Sequence, residues 1–202
     1  SRGLGDVYKR QMLLIPFNVV AMSASSMVAV DLDNDYVYFD ANKDDKRLIA
    51  SITKIMTTIV TIENIDIDKK ITVGKEVLKA YGSAIYINVG EKITIRDLLY
   101  GLIMRSGNDA AIVLAKNVAG SMEGFAHLMN ELASNIGMKN SNFVNAHGLE
   151  ENDGSANYST AYDMALITKY AMNNKTFREI FGTKNYVAKS SDKPSVSYTH
   201  LR

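Results

Sequence analysis

Ala50-Ser51-Ile52-Thr53-Lys54-Ile55-Met56 places a serine and a lysine three residues apart at the head of an apolar run. On a helix, positions i and i+3 share one face and their side chains can touch. The spacing therefore sets a lysine amine beside a serine hydroxyl. A serine becomes a nucleophile when a base stands next to it, and a desolvated lysine can be that base. From Ser51 to about Glu63 the residues Ile52, Ile55, Met56, Ile59, Val60 and Ile62 form a wide apolar stripe. That pattern predicts a largely buried helix. A lysine in its first turn needs a partner or a function, because lysine is seldom fully buried otherwise.

Upstream, Met27 to Asp33 and Tyr36 to Asp40 are short β-rich runs joined across Asp33-Asn34-Asp35, which reads as a hairpin. Ala41 to Arg47 is a charged loop. Downstream, Ile71 to Val73 predicts a short strand, Lys75 to Ala80 a helical turn, Tyr81-Gly82-Ser83 a loop at the cleft and Ala84 to Asn88 another strand. Thr94 to Asp97 has capping-box form and opens a helix to about Met104. Arg105-Ser106-Gly107-Asn108 breaks it before a second helix from Asp109 to Val118, with Gly120 as its stop. A further amphipathic helix spans Ser121 to Ile136, and Asn140 to Asn157 is loop-rich. Thr160 opens a helix to about Met172, followed by a short helix at Phe177 to Phe181 and a strand at Lys184 to Ala188. Helices in the middle and strands at both ends fit an α+β domain whose sheet is assembled from distant parts of the chain.

The 202 residues suit one sizeable domain. A net charge of +1 gives no electrostatic argument for a nucleic-acid partner. Without cysteine there are no disulfides, thiolate metal sites or cysteine nucleophiles. The three histidines, His127, His147 and His200, have no metal-ligand spacing. Residues 1–11 lack any apolar period and read as a non-native, adaptor-derived segment, as does the tail 195–202; the native chain is expected to start near Met12 or further upstream and to continue beyond about Pro194. Met12 to Ala24 is apolar and too short to span a bilayer. It reads as the hydrophobic region of an export signal, with Ala21, Ser23 and Ala24 as small residues near a cleavage point.

Ser-x-x-Lys occurs twice, as Ser51/Lys54 and Ser190/Lys193, and the second lies in a polar tail with no helix to align it. Ser-x-Asn also occurs twice. Ser155/Asn157 sits in a Gly/Asn/Ser-rich loop and reads as turn chemistry. Ser106/Asn108 interrupts two apolar helices; a plain helix cap is the bland alternative to a second wall for Ser51.

Residues 50–57, 98–111, 145–149 (Asn-Ala-His-Gly-Leu) and 158–165 together resemble the serine-type D-alanyl-D-alanine carboxypeptidases, low-molecular-mass penicillin-binding proteins with the β-lactamase/transpeptidase-like fold. The resemblance runs from about residue 25 to 190. It implies a helical subdomain plus an antiparallel sheet, and removal of the terminal D-alanine from peptidoglycan stem peptides through an acyl-serine. By position, Ser51 resembles the nucleophile, Lys54 the general base, Ser106 the serine that relays a proton to the departing D-alanine, and Asn108 the residue that orients Lys54 and the substrate amide. The Ser51 backbone N–H resembles one oxyanion donor. The resemblance also implies no metal or organic cofactor, β-lactam antibiotics as covalent inhibitors, and a place outside the cytoplasmic membrane. His147 is not expected to complete a Ser-His-Asp triad; Asn145-Ala146-His147-Gly148-Leu149 reads instead as a loop pinned by side-chain-to-backbone hydrogen bonds.

The third motif of that family is Lys-Thr-Gly, on a strand that supplies the second oxyanion donor and a lysine for the substrate's terminal carboxylate. No Lys-Thr-Gly, Lys-Ser-Gly or His-Ser/Thr-Gly occurs here. Residues 25–194 are therefore expected to form a partial catalytic domain with an incomplete sheet and no membrane-anchoring segment, weakly active or inactive alone. The competing readings are a class A-like β-lactamase, whose Ser-Asp-Asn and dedicated glutamate are absent, a non-catalytic wall-binding module of the same fold, and a soluble α+β domain with coincidental motifs.

Overall fold

Ile95, Leu98, Leu99 and Leu102 are completely buried along α2 (Ile95–Met104), the helix at the centre of the core. The computed structural model describes residues 24–31, 34 and 36–199. The expectations for residues 1–11, for the apolar segment up to residue 23, for the turn residues Asp33 and Asp35, and for residues 200–202 lie outside the described residues.

Helices from both sides of α2 in sequence pack against it. A 3-10 turn (Ala50–Thr53) leads directly into α1 (Lys54–Asn64). After α2 come α3 (Asn108–Ala119) and α4 (Met122–Asn135). Further on are α5 (Ala161–Met172) and α6 (Lys175–Gly182). Local chemistry starts these helices. Thr94, Ser121, Thr160 and Asn174 each accept a hydrogen bond from the backbone N–H three residues ahead, satisfying one of the N–H groups a helix start leaves unpaired. Gly120 ends α3 at φ +78, in the left-handed region glycine enters without strain.

Among the described residues the strands form four antiparallel pairs. β1 (Met27–Val30) pairs with β2 (Val37–Ala41), β3 (Arg47–Leu48) with β6 (Tyr158–Ser159), β4 (Lys70–Thr72) with β5 (Lys92–Thr94), and β7 (Asn185–Ala188) with β8 (Val196–Thr199). The α+β reading holds, and the β3–β6 pairing binds the segment before Ser51 to residues 158–159. β8 is the part of the expected tail that the structure describes; its Tyr198 is buried opposite Tyr186 of β7. Among the described residues no helix is long and apolar enough to cross a membrane.

Two local expectations are corrected. Ala84 to Asn88 is not a strand. The backbone N–H groups of Ile85 and Ile87 go instead to the buried carboxylate of Asp109, so a side chain replaces the ladder partner. Ile52 does not belong to the buried stripe. It is 53% exposed, because the chain enters α1 through a 3-10 turn, whose three-residue period rotates Ile52 away from the face carrying Met56, Ile59 and Val60.

Candidate active site

Ser51 lies in the 3-10 turn and is exposed, whereas Lys54, the first residue of α1, is only 3% exposed. The i, i+3 spacing does what it predicts: Lys54 Nζ lies 3.3 Å from Ser51 Oγ. The residue before the nucleophile candidate, Ala50, has φ +43. A non-glycine residue there is strained, and such strain persists only where surrounding structure holds it.

The second motif comes to the same place. Ser106 Oγ donates to Ser51 Oγ at 3.1 Å, bridging 55 residues of sequence. Ser106 adopts φ +54 and caps no helix; Gly107 occupies the N-cap position of α3. Asn108, the first residue of α3, is buried with both ends of its amide used. Its Oδ1 accepts from Lys54 Nζ at 2.8 Å and its Nδ2 donates to the Tyr81 carbonyl at 2.7 Å. Its backbone N–H donates to the Ser83 carbonyl at 2.7 Å. Loop 81–83 thus reaches the site through its backbone.

A third wall comes from residues 145–149. Lys54 Nζ donates to the His147 carbonyl at 2.9 Å, and Thr57 Oγ1 on the same helix donates to the Ala146 carbonyl at 2.7 Å. The loop holds its shape by the expected side-chain-to-backbone bonds. Asn145 Oδ1 accepts from the Gly148 N–H, and Asn145 Nδ2 donates to the Leu149 carbonyl. Asn157 Nδ2 donates both to the Asn145 carbonyl and to Thr53 Oγ1, tying the loop to the turn that carries Ser51. Gly148 is where this loop crosses the 3-10 turn. Its φ is +86, and a Cβ there would stand 1.9 Å from the Ala50 carbonyl oxygen. His147 turns its imidazole away from this work: Nδ1 accepts from the Leu149 N–H, and Nε2 faces Glu151 at 3.6 Å.

Burial pushes the Lys54 ammonium down from its ordinary 10.5 to about 8. The same desolvation lowers the His147 imidazole, with the Glu151 carboxylate opposing and the Lys54 charge adding to the effect. An ammonium at Lys54 has three N–H donors and three oxygens within reach. A neutral amine has two N–H groups and one lone pair. The Asn108 and His147 oxygens, both carbonyl acceptors, take the two N–H groups, leaving the lone pair for Ser51 Oγ–H. The arrangement can therefore draw a proton from a serine near neutral pH, with a second hydroxyl, Ser106, against the same oxygen.

All four residues singled out in the sequence, Ser51, Lys54, Ser106 and Asn108, converge. The carbonyls of His147 and Tyr81, which hold Lys54 and Asn108, were not singled out, since a backbone carbonyl leaves no trace in residue type. In the sequence Asp109 reads only as a helix start. Gly148 did carry a signal: a glycine inside Asn-Ala-His-Gly-Leu marks a backbone needing positive φ or close approach.

The motifs and geometry agree with what this chain is similar to. The sequence model of peptidase family S11, described as D-alanyl-D-alanine carboxypeptidase, matches residues 15–200. D-alanyl-D-alanine carboxypeptidase DacF of Bacillus subtilis is 33% identical over 180 residues, covering 86% of this chain and 46% of its own length. The crystal structure of D-alanyl-D-alanine carboxypeptidase DacD from Francisella tularensis superposes with a TM-score of 0.82 at 32% identity, covering 97% of this chain and 48% of that one. Penicillin-binding protein 6B from Escherichia coli superposes at 0.78 with 27% identity, covering 93% of this chain and 61% of the other. The chain thus spans about half the length of the curated relatives it matches. The match along nearly all of its residues, with the convergence of both serine motifs on one lysine, makes this chain a member of the D-alanyl-D-alanine carboxypeptidase family, peptidase family S11.

Proposed function

We propose that this chain carries the acylation machinery of a serine-type D-Ala-D-Ala carboxypeptidase, acting on peptidoglycan stem peptides that end in D-Ala-D-Ala. The observation that carries the reading is the coordination of Lys54 Nζ by Ser51, Asn108 and the His147 carbonyl, with Ser106 on the same serine oxygen.

Neutral Lys54 takes the Ser51 proton as Oγ attacks the penultimate D-alanine carbonyl carbon. The new Oγ–C bond makes a tetrahedral oxyanion. The Ser51 backbone N–H, at a helix start where such groups have no intrahelical acceptor, stabilises that charge. The C–N bond then breaks as Ser106 passes its proton to the departing D-alanine amine and recovers one from Lys54, which returns to the neutral amine. Water, deprotonated in turn by the same lysine, hydrolyses the acyl-serine and restores Ser51. β-Lactams enter by the same attack, opening the lactam ring and leaving Ser51 acylated. The substrate class places the enzyme outside the cytoplasmic membrane. Lys-Thr-Gly does not occur among the 202 residues. In the family that motif carries a lysine for the substrate's terminal carboxylate and a second oxyanion donor.

The test is prolonged incubation with a fluorescent penicillin, followed by intact mass and peptide mapping. A stable adduct on Ser51, absent in Ser51→Ala and slow to decay, is the expected result. A label that persists in Ser51→Ala, or none at all, overturns the reading; rapid loss with released penicilloate points to a β-lactamase.

A further inference from the structure

The second Ser-x-Asn divides in the structure. Ser155 makes a turn: its N–H and its hydroxyl both donate to Asp153 Oδ1, at 2.9 and 2.7 Å. Asn157 does something else. It is 1% exposed, and its main chain and side chain reach the two sides of the turn that carries Ser51.

The Asn157 carbonyl accepts from the Ile49 N–H at 3.3 Å, directly after the β3–β6 pairing and two residues before Ser51. Its Nδ2 donates to Thr53 Oγ1 at 3.0 Å, two residues after Ser51. The rest of the amide holds the start of loop 145–149. Oδ1 accepts from the N–H groups of Val144 and Asn145 at 2.7 and 3.1 Å, and Nδ2 also donates to the Asn145 carbonyl at 2.8 Å. A primary amide has two N–H donors and two oxygen lone pairs, so these bonds use all of it. One buried side chain is thus shared between the Ser51 turn and the loop whose His147 carbonyl takes Lys54 Nζ.

The turn depends on being held. Ala50 stands at φ +43, and a non-glycine residue stays there only while its surroundings are fixed. Ile49 and Thr53 flank it, and Asn157 bonds to both. The partners of Ser51 Oγ are Lys54 and Ser106, which must release it as the acyl bond forms. The placement of that oxygen during attack therefore comes from the backbone of the turn.

Resting on the reading of Ser51 as the acylated serine, we propose that Asn157 is a positioning residue for acylation, a clamp that fixes the Ser51 turn against loop 145–149 and so keeps Ser51 Oγ within reach of Lys54 Nζ. Asn157 acts through Thr53 and Ile49. Releasing the clamp lets the turn relax and carries Ser51 away from its base, and a displacement of about 1 Å at a reacting group can cost about a hundredfold in rate.

Stopped-flow acylation by penicillin between pH 6 and 10 separates a lost placement from a lost base. Thr53→Val removes one bond of the clamp, Thr53→Ser keeps it, and Asn157→Ala removes every side-chain bond. Asn130→Ala is the matched control. Asn130 accepts from the Phe143 N–H at 2.9 Å and donates to the Phe143 carbonyl at 2.7 Å, and among the described residues it makes no hydrogen bond to the Ser51 turn. The rate at the alkaline plateau is expected to fall about fivefold in Thr53→Val and about thirtyfold in Asn157→Ala, with the midpoint unmoved. Thr53→Ser and Asn130→Ala are expected to stay within about twofold of the unsubstituted chain, even where Asn130→Ala unfolds at lower urea. Urea unfolding of each variant fixes conditions in which the rates compare folded chains. Should Asn157→Ala fail to fold, Thr53→Val against Thr53→Ser decides. A plateau that does not fall, a midpoint that moves, Thr53→Ser as slow as Thr53→Val, or an equal loss in Asn130→Ala overturns the clamp. An unsubstituted chain that takes no label at Ser51 sinks the acylation reading, and the clamp with it. A labelled chain whose variants all react alike sinks the clamp alone.

Discussion

Lys54 Nζ donates to the main-chain carbonyl oxygen of His147 at 2.9 Å, across 93 residues of sequence. A backbone carbonyl cannot titrate or rotate to another rotamer. The direction in which the amine faces is therefore held on one side by the backbone of loop 145–149. With Asn108 Oδ1 as the second carbonyl, at 2.8 Å, the lone pair of a neutral Lys54 has one place to go, toward Ser51.

Acylation should follow the deprotonation of Lys54. Burial lowers that group from 10.5 to about 8, so at pH 6 only about one chain in a hundred holds the base form. The second-order rate of penicillin acylation is expected to climb roughly tenfold per pH unit below 8 and to level off above it. Stopped-flow measurements between pH 6 and 10 check this. A flat profile would show that Lys54 is not the proton acceptor, and a midpoint near 10 would show that burial does not lower it.

Asn108→Asp should move that midpoint upward. The new carboxylate would sit 2.8 Å from Lys54 Nζ in a buried setting and favour the ammonium. It also replaces the Nδ2 donor by an oxygen facing the Tyr81 carbonyl, 2.7 Å away, so loop 81–83 loses a tie. An upward shift of at least about one unit in the acylation profile is expected, with rates near pH 7 falling about tenfold or more. Asn108→Ala, which adds no charge, should slow acylation without raising the midpoint; the pair of profiles separates electrostatics from lost positioning.

What the sequence revealed of this site was local. Ser51 and Lys54 are one turn apart, and the caps at Thr94, Ser121 and Thr160 work over three residues, so side-chain type and spacing suffice. Ser106 and Asn108 were visible because a polar break between two apolar helices is unusual. The rest depends on backbone groups and on distant partners. The His147 and Tyr81 carbonyls, the positive φ of Ala50 and Ser106, and the capture of the Ile85 and Ile87 N–H groups by Asp109 leave no periodicity to read. The second Ser-x-x-Lys shows the converse. Ser190 and Lys193 keep the spacing, but they clasp buried Glu91, through the Ser190 hydroxyl and through Lys193 Nζ 3.7 Å from its carboxylate. Spacing alone makes a pair; a helix start and a second motif make a site.

Gly148→Ala should be far more damaging than Gly154→Ala. Both glycines have similar backbone angles, φ +86 and +82. At Gly154 a Cβ meets nothing within 4 Å, so only the backbone strain of about 1 kcal/mol applies. At Gly148 it would stand 1.9 Å from the Ala50 carbonyl oxygen, forcing loop 145–149 away from the turn that carries Ser51. A loss of about 3 kcal/mol or more is expected in urea unfolding, together with loss of penicillin labelling. Similar values for the two variants would mean that the loop and the turn do not cross as described.

Asp109→Ala should loosen residues 84–88 without unfolding the core. The Asp109 carboxylate, 2% exposed, accepts the N–H groups of Ile85 at 3.0 and 3.1 Å, Ile87 at 3.3 Å and Ala110 at 2.9 Å. Removing it strands two loop donors in a buried place, at a cost of about 2–4 kcal/mol. In hydrogen exchange the Ile85 and Ile87 amides are expected to lose protection by two orders of magnitude or so, while those of Leu98 and Leu99 in α2 exchange faster only by as much as global stability falls. Asn108 leans on the same loop through the Tyr81 and Ser83 carbonyls, so acylation by penicillin should fall in parallel. If those amides exchange as before while labelling is lost, Asp109 acts on the site through α3 alone and the loop is not its intermediary.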